Sequence, residues 1–217
     1  VVSFRRFPSP YTQRIMPEVN TGLKSVMRKR QNAELRKPDI LKNYYQVILK
    51  EGVEGASIAK VAKRMKINPS LIIHYFSTKD AMTEELVHYI SKMYDSLFKR
   101  LRIETDDPGK RLDRLIEIVF SEEWYNNTDI SGDFSVLSVS FRNKKVFARI
   151  QLLYEEFIKL IVRELELISP SGIIKIDNPR RTAELLVSVI EGYRHFKHFY
   201  VDRESAGDYR QSMITMI

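Results

Sequence analysis

Apolar residues recur at intervals of three and four positions through most of the chain from residue 38 onward. This spacing places them on one face of an α-helix, and no segment has the alternation typical of a β-strand. The pattern predicts an all-α protein with an N-terminal three-helix head and a C-terminal helical body. Helices are expected at residues 40–52, 57–66, 69–76, 79–103, 108–125, 134–141, 146–168, 178–200 and 204–217.

Residues 57–80 place two short helices and the start of a third in an unusually short stretch. The first of these must end near Lys66, because Asn68 is a strong helix N-cap and Pro69 suits the first helical position. Only a few residues then separate the two helices. This arrangement predicts a helix-turn-helix, in which residues 69–76 form the recognition helix.

The third helix of that stretch is expected to begin at a capping box formed by Ser77 and Asp80 and to run to about residue 103, connecting head to body. Three domain segments follow from these patterns. Residues 1–24, broken by proline, are predicted to be a disordered extension. Residues 25–80 are predicted to form a basic arm and the helix-turn-helix, and residues 81–217 an effector-binding and dimerisation domain.

The net charge of +8 lies mainly at the N-terminus, where residues 1–37 hold nine Lys and Arg against two Glu. A basic front end fits binding to a polyanion, although a solvated basic tail explains the charge equally well. The sequence has no cysteine, which excludes disulfides and thiolate metal sites. It also has no apolar run of eighteen residues and no signal-peptide pattern, so we expect a cytoplasmic protein without a membrane partner.

Catalytic motifs are not evident: we find no glycine-rich phosphate loop, nucleophile elbow or paired-carboxylate motif. Glu191, His195 and His198 share one helix face and form a possible metal-ligand set. Interface or pocket roles are favoured for them, because structural zinc normally takes four ligands and no cysteine completes the set. We therefore predict a protein that is not an enzyme and needs no cofactor or metal.

Three helices with a turn at the second junction, an aromatic pair and a lysine resemble the head of the TetR family of transcriptional repressors. The run HYFSTKD, residues 74–80, is most similar to the betaine-aldehyde- and choline-responsive branch. The body is more weakly similar to that branch, at residues 143–151 and 191–196. The residues that carry the resemblance in the head are Gly52, Ser57, Val61, Ala62, Ile67, Asn68, Leu71 or Ile72, Tyr75, Phe76 and Lys79.

The chain departs from the family pattern at Met65, Lys66 and Ile73. Lys66 must accept the backbone angle that the turn imposes, and Ile73 cannot donate a hydrogen bond to a phosphate, so His74 or Tyr75 is expected to replace that contact. The general geometry of recognition helices predicts phosphate contacts from Ser57, Lys60, Tyr75 and Lys79. It predicts that the bases are faced by Asn68, Pro69, Ser70, Leu71 and His74. Caps, core packing and solvated charges are the ordinary alternatives for these residues.

The body is rich in aromatic side chains, and helical bundles place ligands between their helices. We predict a ligand-binding set of Phe120, Trp124, Phe134, Phe141, Tyr193 and Phe196, with core packing as the alternative for each. The resemblance to the choline-responsive branch implies an aromatic box for a quaternary ammonium ion, held by cation–π attraction.

Together with the resemblance, these patterns predict a ligand-responsive transcriptional regulator that binds a palindromic DNA operator as a homodimer and is released by a small-molecule effector; repression is favoured over activation. Residues 146–168 and 178–200 are the expected dimer interface, and movement of the connecting helix, residues 79–103, is the expected means of release. The alternative is a helical adaptor whose basic arm binds RNA or a membrane. A metal-dependent helical-bundle enzyme using Glu191, His195 and His198 is a third possibility.

Overall fold

The computed structural model describes the backbone of residues 20–200 and 206–216 and the side chains of residues 36–200 and 207–216. The predicted N-terminal extension lies outside the described residues as far as residue 19, and residues 20–24 belong to the first helix. The chain divides into one compact unit that ends at Arg36 and a second, Lys37–Ile217. The second unit holds all the candidate functional residues. The domain boundaries at residues 24 and 80 remain predictions.

All regular elements of the described residues are helical, which confirms the predicted fold class. They are α1 (Asn20–Gly55), α2 (Ile58–Met65), α3 (Pro69–Phe76), α4 (Lys79–Met93), α5 (Asp95–Arg100), α6 (Pro108–Val119), α7 (Glu122–Tyr125), α8 (Ile130–Ser140), α9 (Lys144–Ile168), a 3-10 turn (Ser169–Ser171), α10 (Pro179–Tyr200) and α11 (Ala206–Met216). The regular helix of α1 is interrupted at Gly52, whose φ of 70° favours glycine.

Several helix starts match the predicted caps. Asn68 and Asp107 accept hydrogen bonds from the first turns of α3 and α6, and each is followed by a proline at the first helical position. The start of α4 differs from the prediction, because Thr78 rather than Ser77 is the cap. Thr78 Oγ1 accepts from the Ala81 amide at 3.1 Å, while Ser77 has a positive φ of 60°.

The prediction of one continuous helix over residues 79–103 is wrong, because the helix is interrupted. It breaks at Tyr94, between α4 and α5. No proline or glycine marks this position, so the sequence carries no local signal for the break. The predicted helix at residues 108–125 likewise divides into α6 and α7, where the Ser121 hydroxyl caps α7. Helix α8 begins at Ile130, four residues earlier than expected, because Asp129 caps it.

The head packs around side chains from α1 to α4, which form one apolar cluster with two residues of the body, Val136 and Val146. Tyr44 lies fully buried in this cluster, and its hydroxyl is 2.8 Å from Thr83 Oγ1. A second cluster joins α5, α6, α7, α9 and α10. Head and body therefore share apolar contacts through α8 and α9.

No described helix is both long enough and apolar enough to cross a lipid bilayer.

Candidate nucleic-acid interface and body cavity

The turn between α2 and α3 is sharp because Lys66 adopts the left-handed conformation, with φ 55° and ψ 42°. The Ile67 amide donates to the Ala62 carbonyl at 3.0 Å and the Lys66 amide to the Lys63 carbonyl at 3.2 Å, which closes the end of α2. Asn68 Oδ1 then accepts from the Ser70 amide at 2.9 Å and starts α3. The backbone angle that the turn imposes on Lys66 is thus left-handed.

One face of α3 is buried in the head core, and the opposite face is exposed to solvent. Ile72 and Phe76 are buried in the head core, as the spacing predicts. The predicted base-facing side chains lie on the other side and include the exposed Pro69, Ser70 and His74. Asn68 is also exposed, and Leu71 is partly buried. The start of α3 is therefore a protruding, solvent-facing surface.

The predicted phosphate contacts have structural partners of their own. Ser57 caps α2 through the Lys60 amide at 3.3 Å. Lys60 Nζ pairs with Glu51 and donates to the Gly55 carbonyl at 2.8 Å, and Lys79 Nζ donates to the Val53 carbonyl at 2.7 Å. Both lysines thus bind backbone carbonyls at the end of α1, next to the loop that joins α1 to α2.

Tyr75, the fourth predicted phosphate contact, is partly buried and packs against the head core. Two exposed lysines were missed as phosphate contacts by sequence reasoning: Lys63, at the end of α2, and Lys66, in the turn. Lys63 lies opposite the apolar face of α2, so the helical periodicity that identifies this face also identifies this lysine, whereas Lys66 belongs to the turn. They place positive charge next to the exposed start of α3.

A cavity with a volume of about 70 Å³ lies between α4 of the head and α5, α7, α8, α9 and α10 of the body. Tyr94, Phe98, Trp124 and Phe157 place four neighbouring aromatic rings in its wall. The ring centroids of Trp124 and Phe157 are 4.7 Å apart, and those of Phe98 and Phe157 are 5.8 Å apart and stacked. Tyr94 lies 6.4 Å from Trp124. Tyr94, at the break between α4 and α5, and Phe98, four positions later, both line the cavity.

A buried polar network forms one edge of the cavity. Arg194 Nη2 donates to Asp133 and to Thr128 Oγ1, the latter at 2.7 Å. Thr128 Oγ1 lies 2.6 Å from Asp133 Oδ2 and 3.0 Å from the Tyr94 hydroxyl. Burial raises the pKa of Tyr94 to about 12, so its hydroxyl is protonated at neutral pH. Within the network, the positive charge of Arg194 pairs with the carboxylate of Asp133.

Glu191 is the second carboxyl group in the cavity wall, and it is mostly buried. Burial raises its pKa, an effect that the charge of Arg194 opposes. His195 Nε2 lies 3.7 Å from Glu191 Oε2, and burial together with Arg194 lowers the pKa of His195. At neutral pH His195 is therefore uncharged. The cavity therefore combines aromatic walls with the carboxyl group of Glu191, and the neutral imidazole of His195 lies beside that group.

Of the six aromatic residues predicted to bind ligand, Trp124 lines this cavity. Phe120 and Tyr193 lie in the body core, with their ring centroids 5.5 Å apart. Phe134 packs on the outer side of His195 at 4.6 Å. Phe196 is half-exposed, and Phe141 is almost fully exposed at the end of α8. Tyr94, Phe98, Tyr154 and Phe157 line the cavity but were missed, because helical spacing does not distinguish a cavity wall from close-packed core.

The possible metal set does not assemble. Glu191 and His195 are neighbours, but His198 is exposed, and within residues 36–200 and 207–216 no three His, Asp or Glu side chains form a group able to hold a metal ion. Glu191 and His195 instead belong to the cavity.

Two family models match the chain. Residues 40–86, which contain the helix-turn-helix, match the model for bacterial regulatory proteins of the tetR family, and residues 107–213 match the tetracyclin repressor-like C-terminal domain. The chain belongs to the TetR family. The first match covers the head from α1 to α4, and the second covers the body from α6 to α11, so the family architecture extends over both parts of this TetR-family protein.

Two curated relatives of this TetR-family protein are named as transcriptional regulators. The chain is 28% identical over 91 residues to the HTH-type transcriptional regulator BetI of Paraburkholderia phytofirmans, a match covering 42% of this chain and 47% of that protein. It is 27% identical over 90 residues to the HTH-type transcriptional repressor NicS of Pseudomonas putida, covering 42% of each. The chain thus spans about half the length of the curated relatives it matches.

Solved structures share the TetR-family fold. A transcriptional regulator from Saccharomonospora viridis, crystallised in complex with choline, superposes with a TM-score of 0.70 at 18% identity. The match covers 85% of this chain and 96% of the other. At this identity the likeness establishes the fold alone.

Proposed function

We propose that this TetR-family protein is a transcriptional regulator, acting as a repressor, that binds duplex DNA through α3 and is released by a small-molecule effector. The observation that carries the proposal is the α2–α3 turn, which leaves Ser70 and His74 exposed on a helix anchored by Ile72 and Phe76. A helix held in this way fits the major groove, where its N-terminal side chains reach base edges.

Lys63 and Lys66 support the proposal through their charge. Both are exposed beside the start of α3, where phosphate groups of a bound duplex would lie. Lys60 and Lys79 take part differently: their ammonium groups already bind backbone carbonyls of the α1–α2 region. We assign these two lysines to holding the reading surface in place, with phosphate contact as an additional role.

Selection from random sequence tests DNA binding and identifies the operator at the same time. The full chain is incubated with a random-sequence duplex pool, and retained duplexes are sequenced and then measured by gel shift. We expect a palindromic site, because one short helix covers only a few base pairs and a dimer is needed for specificity. His74→Ala should relax the base preference within each half-site. Retention without any sequence preference, or preferential retention of RNA or anionic vesicles, would favour the adaptor function instead.

We further propose that the effector is a small organic cation, such as a quaternary ammonium ion. Five Phe, Tyr and Trp side chains and the Glu191 carboxylate line the cavity, while Arg194 is engaged by Asp133 and Thr128. Aromatic faces and an ionised carboxylate both attract a cation. Choline, which a structural neighbour of this fold binds, is the first probe.

Calorimetry tests this assignment directly. Choline should bind the full chain with one site per protomer, whereas its neutral isostere 3,3-dimethylbutan-1-ol should bind at least tenfold more weakly, because it has the same shape without the charge. Equal affinity for the two molecules would reject a cation site. Glu191→Gln should reduce the difference between them.

A further inference from the structure

The head touches the body at a position where glycine alone fits. Gly132, on α8, is buried, and a Cβ atom at this residue would lie 2.5 Å from the Tyr45 hydroxyl oxygen and 2.8 Å from Leu49 Cδ2. Real Cβ atoms essentially never make contacts this short, so any side chain here must displace either α8 or the side chains of Tyr45 and Leu49. The Tyr45 hydroxyl also donates to the Asp129 carbonyl at 3.3 Å. No gap separates Tyr45 from the N-terminal turn of α8.

The same turn of α8 forms part of the cavity edge. Asp133 follows Gly132 directly and lines the cavity, where it holds Arg194 of α10. Thr128, just before the Asp129 cap, accepts from Arg194 through both its hydroxyl and its backbone carbonyl. Residues 128–133 therefore contact the cavity network on one side and Tyr45 of the head on the other.

The small volume of the cavity makes residues 128–133 a candidate route by which a bound ligand affects the head. Its volume of about 70 Å³ is well below the ~300–1,000 Å³ typical of ligand pockets. A ligand of more than a few heavy atoms exceeds this volume, so its full enclosure requires the walls to move apart. Among the walls, α9 is a 25-residue helix packed in the body core, whereas α8 has 11 residues and follows an irregular loop. Asp133, in the N-terminal turn of α8, is a wall residue of the cavity and lies directly next to Gly132.

We propose that the contact between Gly132 and Tyr45 transmits effector binding to the DNA-binding head. The inference rests on the proposed function and names its regulation. An effector that enlarges the cavity displaces residues 128–133 toward Tyr45, and because no space remains there, α1 moves with them. The head then leaves the position that DNA binding requires, so DNA affinity falls. By thermodynamic linkage, bound DNA lowers effector affinity by the same factor by which the effector lowers DNA affinity. Gly132 is a coupling residue and contacts neither ligand.

The first test shortens the side chain of Tyr45, which contacts the N-terminal turn of α8. Tyr45→Leu keeps an apolar residue in the head core but does not reach Gly132. We expect DNA affinity without choline to stay within threefold of the parent, choline affinity to persist, and the choline-induced loss of DNA affinity to shrink at least tenfold. The matched control is Tyr44→Phe, because the Tyr44 hydroxyl contacts Thr83 inside the head. Coupling that remains at the parental value in Tyr45→Leu overturns the inference.

The second test needs no effector. Gly132→Ala inserts a methyl group into the contact and should mimic the occupied cavity, lowering DNA affinity at least tenfold in the absence of choline. Adding Tyr45→Leu should restore that affinity to within threefold of the Tyr45→Leu chain. Gly207→Ala is the control, because a Cβ there meets nothing within 4 Å. Parental DNA affinity in Gly132→Ala, or a loss that Tyr45→Leu does not repair, overturns the inference.

The two tests separate this inference from the proposed function. A parent chain that selects no duplex sequence refutes the DNA-binding proposal itself. A parent that binds DNA without responding to choline rejects that effector, and the Gly132→Ala comparison still decides the coupling. Thermal unfolding of each variant identifies misfolding, and if Tyr45→Leu does not fold, the Gly132→Ala comparison with Gly207→Ala decides.

Discussion

Arg111 on α6 and Glu164 on α9 form an ion pair in the interior of the body, where the Glu164 side chain is fully buried. Arg111 Nη1 also donates to the Ile103 carbonyl at 2.8 Å, and Glu164 Oε1 has no hydrogen-bond partner among the described residues. The pair therefore ties the loop before α6 to the 25-residue helix of the body. A buried charge that loses its partner is costly, whereas replacing both charges by apolar groups is often tolerated.

Removing the arginine alone should strongly destabilise the protein. Arg111→Met leaves Glu164 buried without a countercharge and is expected to lower the free energy of unfolding by about 3–5 kcal/mol. The double variant with Glu164→Met should recover most of this loss. Arg114→Met is the control, because the Arg114–Glu117 pair is well exposed and such pairs contribute about 0–1 kcal/mol. Denaturant unfolding measures all three, and equal losses in Arg111→Met and Arg114→Met would contradict the argument.

Lys66 allows the strain of the turn to be separated from its charge. Its left-handed backbone is unfavourable for a side chain with a Cβ atom, and glycine relieves this. Lys66→Gly should therefore raise the free energy of unfolding by about 0.5–1 kcal/mol, while DNA affinity falls because a phosphate contact is lost. The slope of log affinity against log salt should become shallower by about 1.

The controls for Lys66 are a second lysine of the head and one of the body. Lys63→Ala should reduce DNA affinity and the salt slope without raising stability, because Lys63 is helical. Lys175→Ala, in the exposed loop before α10, should leave both unchanged. A Lys66→Gly chain that binds DNA as tightly as the parent would show that no phosphate lies beside the turn.

The affinity for an organic cation should depend on pH. Burial raises the pKa of Glu191, so its carboxylate forms at a higher pH than an exposed glutamate would. Because only the carboxylate attracts the cation, choline affinity should increase as the pH rises through that raised value and then level off. Protonation of His195 acts in the same direction, since it adds positive charge 3.7 Å from Glu191 at acid pH.

Calorimetry with choline between about pH 4.5 and 8 measures this dependence, and Glu191→Gln should abolish most of it. Choline keeps its charge throughout this range, so any change of affinity belongs to the protein. A parental affinity that is constant with pH would exclude Glu191 as the countercharge.

Local sequence chemistry was sufficient to predict the helix-turn-helix. The Asn68 cap, Pro69 and the apolar spacing of α2 and α3 act within a few residues, and each is observed as predicted. The break at Tyr94 could not be predicted, because no residue there disfavours a helix. Tyr94 lies beside Thr128 and Trp124, which are 34 and 30 positions away along the chain, so tertiary contacts accompany the break without any local sequence signal.

The cavity could be predicted only in part for a related reason. Tyr193 and Arg194 are neighbours in sequence, yet Tyr193 packs in the core against Phe120 and Arg194 lies at the cavity edge. Helical spacing identifies which side of α10 faces inward but not which neighbouring helix each side chain meets. Among the six predicted aromatic residues only Trp124 reaches the cavity, whereas the charged Glu191 and Arg194 give it its chemical character.

Dimerisation through α9 and α10 gives a final prediction. Leu152 on α9 is 67% exposed and Leu185 on α10 is 56% exposed, which is unusual for leucines on helices that also bury a core face. We expect each to be covered in a homodimer. Leu152→Arg and Leu185→Arg should each yield monomers in sedimentation velocity, and both should lose DNA affinity at least tenfold, because two heads are needed to read a palindrome. Ile173→Arg, exposed in the loop after α9, is the control and should remain dimeric. Monomers that keep full DNA affinity would show that each head reads its site alone.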